Sequence, residues 1–324
     1  MTPRTLRAAL GLAALLATGV AGGGCGPDFD PYERLTSLRI LGIRSEPVAP
    51  APGETTELSA LIYSLPVSND MPDTAKPVSY EWSWCPLVGP SNTGSQCLVT
   101  EEQLNAMTGQ PVPPFNLGTA EKAQFTHSIP PEVLRTICTG VAGLPPPVDC
   151  RDGYPITIRL TVRTDTDEVT AIRPLRLRFE DAHQANNNPT LKQLSLDKGM
   201  GMDPIPLTEE VNLARRADND LIADVAPSDA EDYIGLDDNL KEAPLKERLF
   251  LSWFVETGDL KFARTTYNPA SGVEFERLLK NVWRPAILQV YPRQTAKLYV
   301  VLRDNREGTH WLTLPTTVSL EDHQ

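Results

Sequence analysis

The chain is poor in the residues from which active sites and metal centres are built. It has four histidines, His127, His183, His310 and His323, and none stands in an HExxH arrangement. No G-x-S-x-G elbow, phosphate loop or dinucleotide fingerprint occurs, so the usual local frames for an activated serine or a nucleotide cofactor are missing. These absences point away from an enzyme and from any cofactor. Basic charge is scarce as well: 30 Lys and Arg stand against 42 Asp and Glu. Such a surface repels nucleic acid and anionic headgroups and disfavours both as partners. Glycines number 21 against 30 prolines, which disfavours long helices and suits loop-rich β structure. Beyond the N-terminus, no uncharged run approaches the ~20 apolar residues needed to cross a bilayer.

What is present begins with an export pattern. Met1 to Arg7 carries two basic residues and no acid, and Ala8 to Ala21 is uncharged over 14 residues. Gly22-Gly23-Gly24-Cys25 follows. A basic start, a short apolar stretch and a small-residue exit predict a secretory signal over residues 1–24. Cys25 resembles the acylated cysteine of a lipobox, although Gly22 replaces the usual leucine. The expectation is a lipoprotein anchored through Cys25 by acyl chains such as palmitate, held in the cell envelope at the outer membrane. Residues 25–36 read as a tether. Losing Arg4 and Arg7 takes the basic count from 30 to 28 against 42 acids, so the exported part is more acidic still.

Four further cysteines remain, Cys85, Cys97, Cys138 and Cys150. An even number in an oxidising compartment reads as disulfides. Three pairings are open. The equal separations of 12 positions make Cys85–Cys97 and Cys138–Cys150 the simplest, each clip contributing about 3 kcal/mol by loop-closure entropy. A zinc site is the competitor, without CxxC spacing or a nearby histidine to support it.

Period-two apolar patterning then appears twice. Leu38, Ile40 and Ile43, then Leu58, Ala60 and Ile62, then Val78, Tyr80, Trp82 and Trp84 suggest three strands. The pattern lapses over 86–153, where Thr100 to Gln103 fits a capping box and Pro131 could open a second short helix. It resumes at Ile156, Ile158, Leu160 and Val162, and at Leu175, Leu177 and Phe179, across the turn Thr164 to Asp167. Residues 183–190 read as a linker, and the order of events then repeats. Thr190 to Leu194 echoes Ser37 to Leu41, Leu221 to Val225 gives a second strand, and Leu249, Leu251, Trp253 and Val255 give a third. Leu298, Val300 and Leu302, the turn Asp304 to Gly308, then Leu312 and Leu314 give a closing hairpin. Two β-sandwiches in tandem follow, over 37–182 and 191–324.

On Cys25, the strand-borne Trp82 or Trp84 and Trp253, and Val300-Val301-Leu302-Arg303-Asp304, the chain resembles immunoglobulin-like and PKD-like modules in extracytoplasmic lipoproteins of the kind abundant in myxobacteria. The resemblance implies an all-β fold of two immunoglobulin-like sandwiches, the first with a disulfide-clipped insertion, 86–153, containing short helices. The cysteine pair that joins the sheets of antibody domains has no counterpart on these strands.

The expected function is binding or scaffolding of an envelope protein or polysaccharide, with loops 86–153 and 226–247 as the contact surface. A second reading is a calcium- or glycan-dependent adhesin. The acids for it would be Asp218, Asp220, Asp224, Asp229, Glu231, Asp232, Asp237 and Asp238, and the sugar-stacking rings Trp311 or Tyr291. No metal ligand set is assigned, because the EF-hand spacing is absent and a solvated acidic loop is the better explanation of these residues. A hydrolase using a histidine is the third reading. His183 in the linker and His323 at the tail are expected to be solvated.

Overall fold

The period-two segments fold as strands. The computed structural model describes residues 31–68, 71–89, 96–139, 150–181, 183–199, 201–236, 241–286 and 295–322. The first half forms β1 (Arg39–Glu46), β2 (Thr55–Tyr63), the small hairpin β3 (Pro66–Ser68) and β4 (Met71–Ala75), β5 (Ser79–Cys85), α1 (Glu101–Thr108), β6 (Asn116–Gly118), β7 (Ala123–Thr126), α2 (Pro131–Thr139), β8 (Tyr154–Arg163) and β9 (Glu168–Leu177). The second half forms β10 (Leu191–Leu196), β11 (Ile205–Pro206), β12 (Asn212–Arg215), β13 (Asn219–Val225), a hairpin of β14 (Asp232–Leu236) and β15 (Glu242–Lys246), and β16 (Leu249–Val255). There follow β17 (Asp259–Leu260), β18 (Arg264–Tyr267), α3 (Glu276–Leu279), β19 (Lys280–Arg284), β20 (Thr295–Asp304) and β21 (Thr309–Asp322).

The halves share one topology. In the first, the sheets are β1-β2-β7 and β6-β5-β8-β9; in the second, β11-β10-β13-β19-β17 and β12-β21-β20-β16-β18. Each half pairs its opening two strands with a later one, and its third strand with the closing hairpin on the opposite sheet. That is the Greek-key order of an immunoglobulin-like sandwich. The echo between Ser37–Leu41 and Thr190–Leu194 extends to backbone detail, since β1 and β10 both carry a register shift against their partners.

Each half has its own core. Trp82, Trp84, Phe125 and the inward residues of β8 and β9 fill the first. Trp253, Trp283 and the inward leucines and valines of β16 and β20 fill the second. Every such side chain contributes roughly 1.5–3 kcal/mol by leaving water, and each indole N–H finds an acceptor, as buried tryptophans require. Trp82 donates to the Ala120 carbonyl at 3.0 Å, Trp84 to that of Pro114 at 2.9 Å, Trp253 to the Thr265 hydroxyl at 3.0 Å and Trp283 to the Thr257 carbonyl at 3.0 Å.

Three expectations change. The stretch 86–153 carries the helices and clips, but it also supplies β6 and β7, and β7 buries Ala123 and Phe125. The described part of the tether is docked: the Leu35 N–H donates to the Val255 carbonyl and the Val255 N–H to that of Glu33, both at 2.9 Å. The linker is packed as well, with His183 and Asn186 both buried.

The two sandwiches meet side by side. Leu35, Leu41, Leu61, Tyr63, Phe254, Tyr299 and Val301 form a third apolar cluster, with Trp311 packed against it. β1 therefore runs along the outer face of β20. Tyr32 lies on Phe254 at 5.6 Å at one end, and Asn188 donates to the Ser45 carbonyl at 2.9 Å at the other. We call these the lower and upper ends. Gly42 allows the close approach, because a Cβ there would lie 3.3 Å from Val301 Cγ1 and 3.5 Å from Trp311 Cε3. Gly42→Val should destabilise the protein by about 1–3 kcal/mol through overpacking, read as a lower urea midpoint; an unchanged midpoint would show that the seam yields.

Candidate functional site

The strands carry the two expected contact loops to one end. β5 finishes at Cys85 and β8 starts at Tyr154 beside it, so the stretch 86–153 leaves and re-enters the first sandwich at its upper end. In the second sandwich, Leu249 at the start of β16 faces Asp304. Residues 226–248 therefore emerge beside the turn 304–308. Arg306 in that turn joins the two: it lies 3.8 Å from the Asp152 carboxylate and 5.1 Å over the Tyr233 ring.

The turn is held from within by Asp304. Its carboxylate accepts the Arg306 and Gly308 N–H groups, both at 2.7 Å, and the Asn186 amide at 3.3 Å. Arg306 donates to the Gln184 and Ala185 carbonyls and to Glu247 at 3.3 Å, which pins the segment joining the sandwiches. Asn188 completes the closure by donating to Glu46 at 2.8 Å and accepting the Thr309 N–H at 2.7 Å. From the first sandwich, buried Arg173 donates to the Ile43 and Glu307 carbonyls. Glu307 itself sits at φ 81°, a left-handed conformation that costs a non-glycine residue roughly 1 kcal/mol or more. The surrounding contacts hold it there. Gly308 has no room for a side chain: a Cβ would fall 1.9 Å from an Asp304 oxygen and 2.8 Å from the Asn187 carbonyl.

Burial dominates the electrostatics of this end. It raises the Glu247 carboxyl to about 7, aided by the nearby Asp304 charge and opposed by Arg306 and by the Glu231 backbone. Burial also raises Asp304, against the backbone N–H groups of Arg306 and Gly308, and Glu307, against Arg173. The Arg173 guanidinium is pulled down to about 10 by burial and remains charged at neutral pH. The arrangement orders backbone around buried polar side chains. Cavities of about 230 and 300 Å³ lie along the seam, the larger at the bottom of the ~300–1,000 Å³ range of typical small-molecule sites.

The cysteines pair as the spacing suggested, Cys85 with Cys97 and Cys138 with Cys150. Cys25, His323, Tyr291, Asp237 and Asp238 lie outside the described residues. The other three histidines each meet the backbone: His127 Nε2 the Arg178 carbonyl at 2.9 Å, His183 Nδ1 the Phe179 N–H at 3.2 Å and His310 Nδ1 the Leu191 N–H at 3.3 Å. Burial lowers the pKa of all three. His183 is thus a packed residue, edge-on to Phe179 at 4.3 Å, where a solvated one was expected. Among the described residues the acids do not converge. Asp218 pairs with Arg284 and Asp232 with Lys246, Asp229 accepts the Thr190 and Ala226 N–H groups, and Asp220 and Asp224 face solvent on β13. No group of three or more metal-ligating side chains forms among the described residues. Trp311 is half-buried in the seam, where a sugar-stacking ring was weighed. Sequence reasoning missed Arg173, Asn186, Glu247 and Arg306; an arginine at an inward position of β9 was the available signal.

Two outcomes test this site. Gly308→Ala should cost on the order of 1–3 kcal/mol by displacing the Asp304 carboxylate from its donors, read as a lower thermal midpoint. Glu247 has a raised folded-state pKa, so its contribution is full below about pH 4.5 and is lost as pH rises through about 7. Glu247→Gln should therefore gain on wild type by roughly 1–3 kcal/mol between pH 5 and pH 8. The opposing histidine titrations are common to both proteins and cancel. A pH-independent difference would refute the assignment.

No protein-family model matches the chain, and no curated protein matches it. Among solved structures it is similar to a chimeric titin Z1Z2-Z1Z2 tandem, at 10% identity over 87% of this chain and 99% of that one, with a TM-score of 0.25. It is also similar to the Ig1-2 module of the Drosophila receptor protein tyrosine phosphatase DLAR, at 10% identity over 88% and 100%, TM-score 0.22. The D00-D0 domain of intimin follows at 10% over 87% and 98%, TM-score 0.21. These scores are too low to support any assignment, and the sandwich fold rests on strand order.

Proposed function

We propose that the protein is a lipid-anchored, extracytoplasmic scaffold of the cell envelope, held at the outer membrane through Cys25, whose upper end binds an envelope protein or polymer. The observation that carries this reading is the convergence of both long loops on Arg306. Two sandwiches fused side by side hold that end still, and a preorganised surface loses less entropy on binding. The upper-end loops also display large apolar side chains: Leu98 and Met107 are each 57% exposed and Ile234 is 48% exposed. Apolar side chains on such loops are what a binding surface uses. The buried polar groups are spent on the seam, and the described histidines on backbone contacts, which leaves the hydrolase reading unsupported. The dispersed acids likewise give the calcium-dependent adhesin no observation in its favour.

Replacing Leu98, Met107 and Ile234 together by Asp should leave the melting temperature nearly unchanged, since exposed substitutions usually act within about 0.5 kcal/mol. The same variant should lose the partner crosslinked to the wild-type protein in intact cells. Retention of that crosslink would overturn the assignment of the upper end.

A further inference from the structure

We infer that the outer edge of β7 is a second binding site, which takes an uncharged, extended segment of a partner polypeptide as an added strand. The site is separate from Leu98, Met107 and Ile234 and goes beyond the function proposed for them. The first sandwich has sheets β1-β2-β7 and β6-β5-β8-β9, so β7 is paired on its β2 side alone. His127 sets which backbone groups face that partner. Its N–H donates to the Glu54 carbonyl at 2.9 Å, and its carbonyl accepts the Gly53 N–H at 2.8 Å. Backbone direction alternates along an antiparallel strand. Phe125 and Ala123 therefore face β2 as well, and Gln124 and Thr126 turn their N–H and C=O groups outward. The Thr55 and Thr126 hydroxyls, 2.8 Å apart across the ladder, agree with that register, because side chains come closest at a non-hydrogen-bonded pair. Ser128 follows in the outward set, and the Gln110 side-chain amide donates to its carbonyl at 3.2 Å. Among the described residues no group does the same for the backbone of Gln124 or Thr126.

The space beside these groups is a groove of about 350 Å³, walled by Pro111 to Pro114, Asn116 and Leu117. That wall cannot complete the ladder itself. Its three prolines have no N–H to donate, and the Val112 N–H is taken by Asn105 Oδ1 at 2.8 Å. An incoming strand, lying about 4.8 Å from β7, would bring a donor and an acceptor to each open residue. None of the residues lining the groove is charged, in a chain of which 22% is charged. An ionised side chain entering there would lose water without gaining a counter-charge, which selects a neutral segment. No aromatic ring lines the groove either, so a sugar would find no stacking face. β7 has only four residues, and Gln110 closes one end. The site therefore admits a short segment and does not template open-ended pairing.

The test uses the full chain in detergent and a pooled library of acetylated, amidated hexapeptides built from Thr, Ser, Asn, Val and Leu. A retained peptide should slow hydrogen exchange at the Gln124 and Thr126 amides, both on exposed residues in the free protein. N-methylating that peptide at alternate backbone positions, or Gln124→Pro in the protein, should weaken binding by about tenfold, the worth of one or two hydrogen bonds. Proline at 124 gives up no ladder bond within the fold, so the melting temperature should stay near that of wild type. The methylated peptides probe the same ladder on the unaltered chain. Retention of no peptide, or an affinity indifferent to methylation of either alternate set, overturns the inference. So does protection of the two amides by a hexamer of N-acetylglucosamine, or by self-association of the chain at high concentration, in place of the peptide.

Discussion

A carboxylate that must be buried governs how this molecule is put together. Asp304 ends β20, and its oxygens close the following turn through two backbone N–H groups while binding the amide of Asn186 in the connecting segment. Burial raises its carboxyl, and the backbone N–H donors fixed around it work against that rise. One side chain thereby ties the geometry of the last hairpin to the path of the chain between sandwiches. Gly308 is glycine because that carboxylate fills the space a Cβ would need.

The seam divides its work between apolar and polar contacts. The cluster of Leu41, Leu61, Tyr63, Phe254, Tyr299 and Val301 is non-directional and would tolerate sliding. Sliding is opposed at the upper end, where Arg173, Arg306 and Asn188 each bond to groups from separate segments. Buried ionic groups add little net stability because desolvation offsets their attraction. Their effect here is registry: Arg173 bridges the Ile43 carbonyl of β1 and the Glu307 carbonyl of the closing turn, and a shift of one residue at the seam would part it from one of them. The tandem is a single body for this reason, in keeping with residues 32–324 forming one compact unit.

Strand-level structure was legible wherever one face met water. β8 alternates Ile, Leu and Val with Thr and Arg, and its pattern identified it at once. Short strands inside long connections were harder, since Ala123 and Phe125 offer only two inward positions in β7. Trp283 in β19 was a clearer sign passed over, an isolated indole in a stretch with no assigned strand. The docking of the sandwiches had a signature too. β16 reads Leu-Phe-Leu-Ser-Trp-Phe-Val, and β20 places Tyr299 and Val301 where solvent-facing residues belong. A strand of an antiparallel sheet that stays apolar on both faces is covered on both. The polar hub could not be read in advance, because its members come from six separate segments and none is unusual by itself. Cys25 is the reverse case, visible in sequence and outside the described residues.

The inverted arrangement of the sandwiches gives the molecule two different ends. β1 climbs from the docked tether, the connecting segment turns over at the top, and β10 descends, so the closing turn of the first sandwich points down and that of the second points up. Had the sandwiches followed one another end to end, the loops 86–153 and 226–248 would stand a domain length apart and could not share a partner surface. Side-by-side inversion places both at the end opposite the tether, with Arg306 between Asp152 and Tyr233. The contact that fixes the sandwiches is therefore also the one that assembles the proposed binding end, and a change that loosens the seam should weaken binding even where it touches no exposed residue.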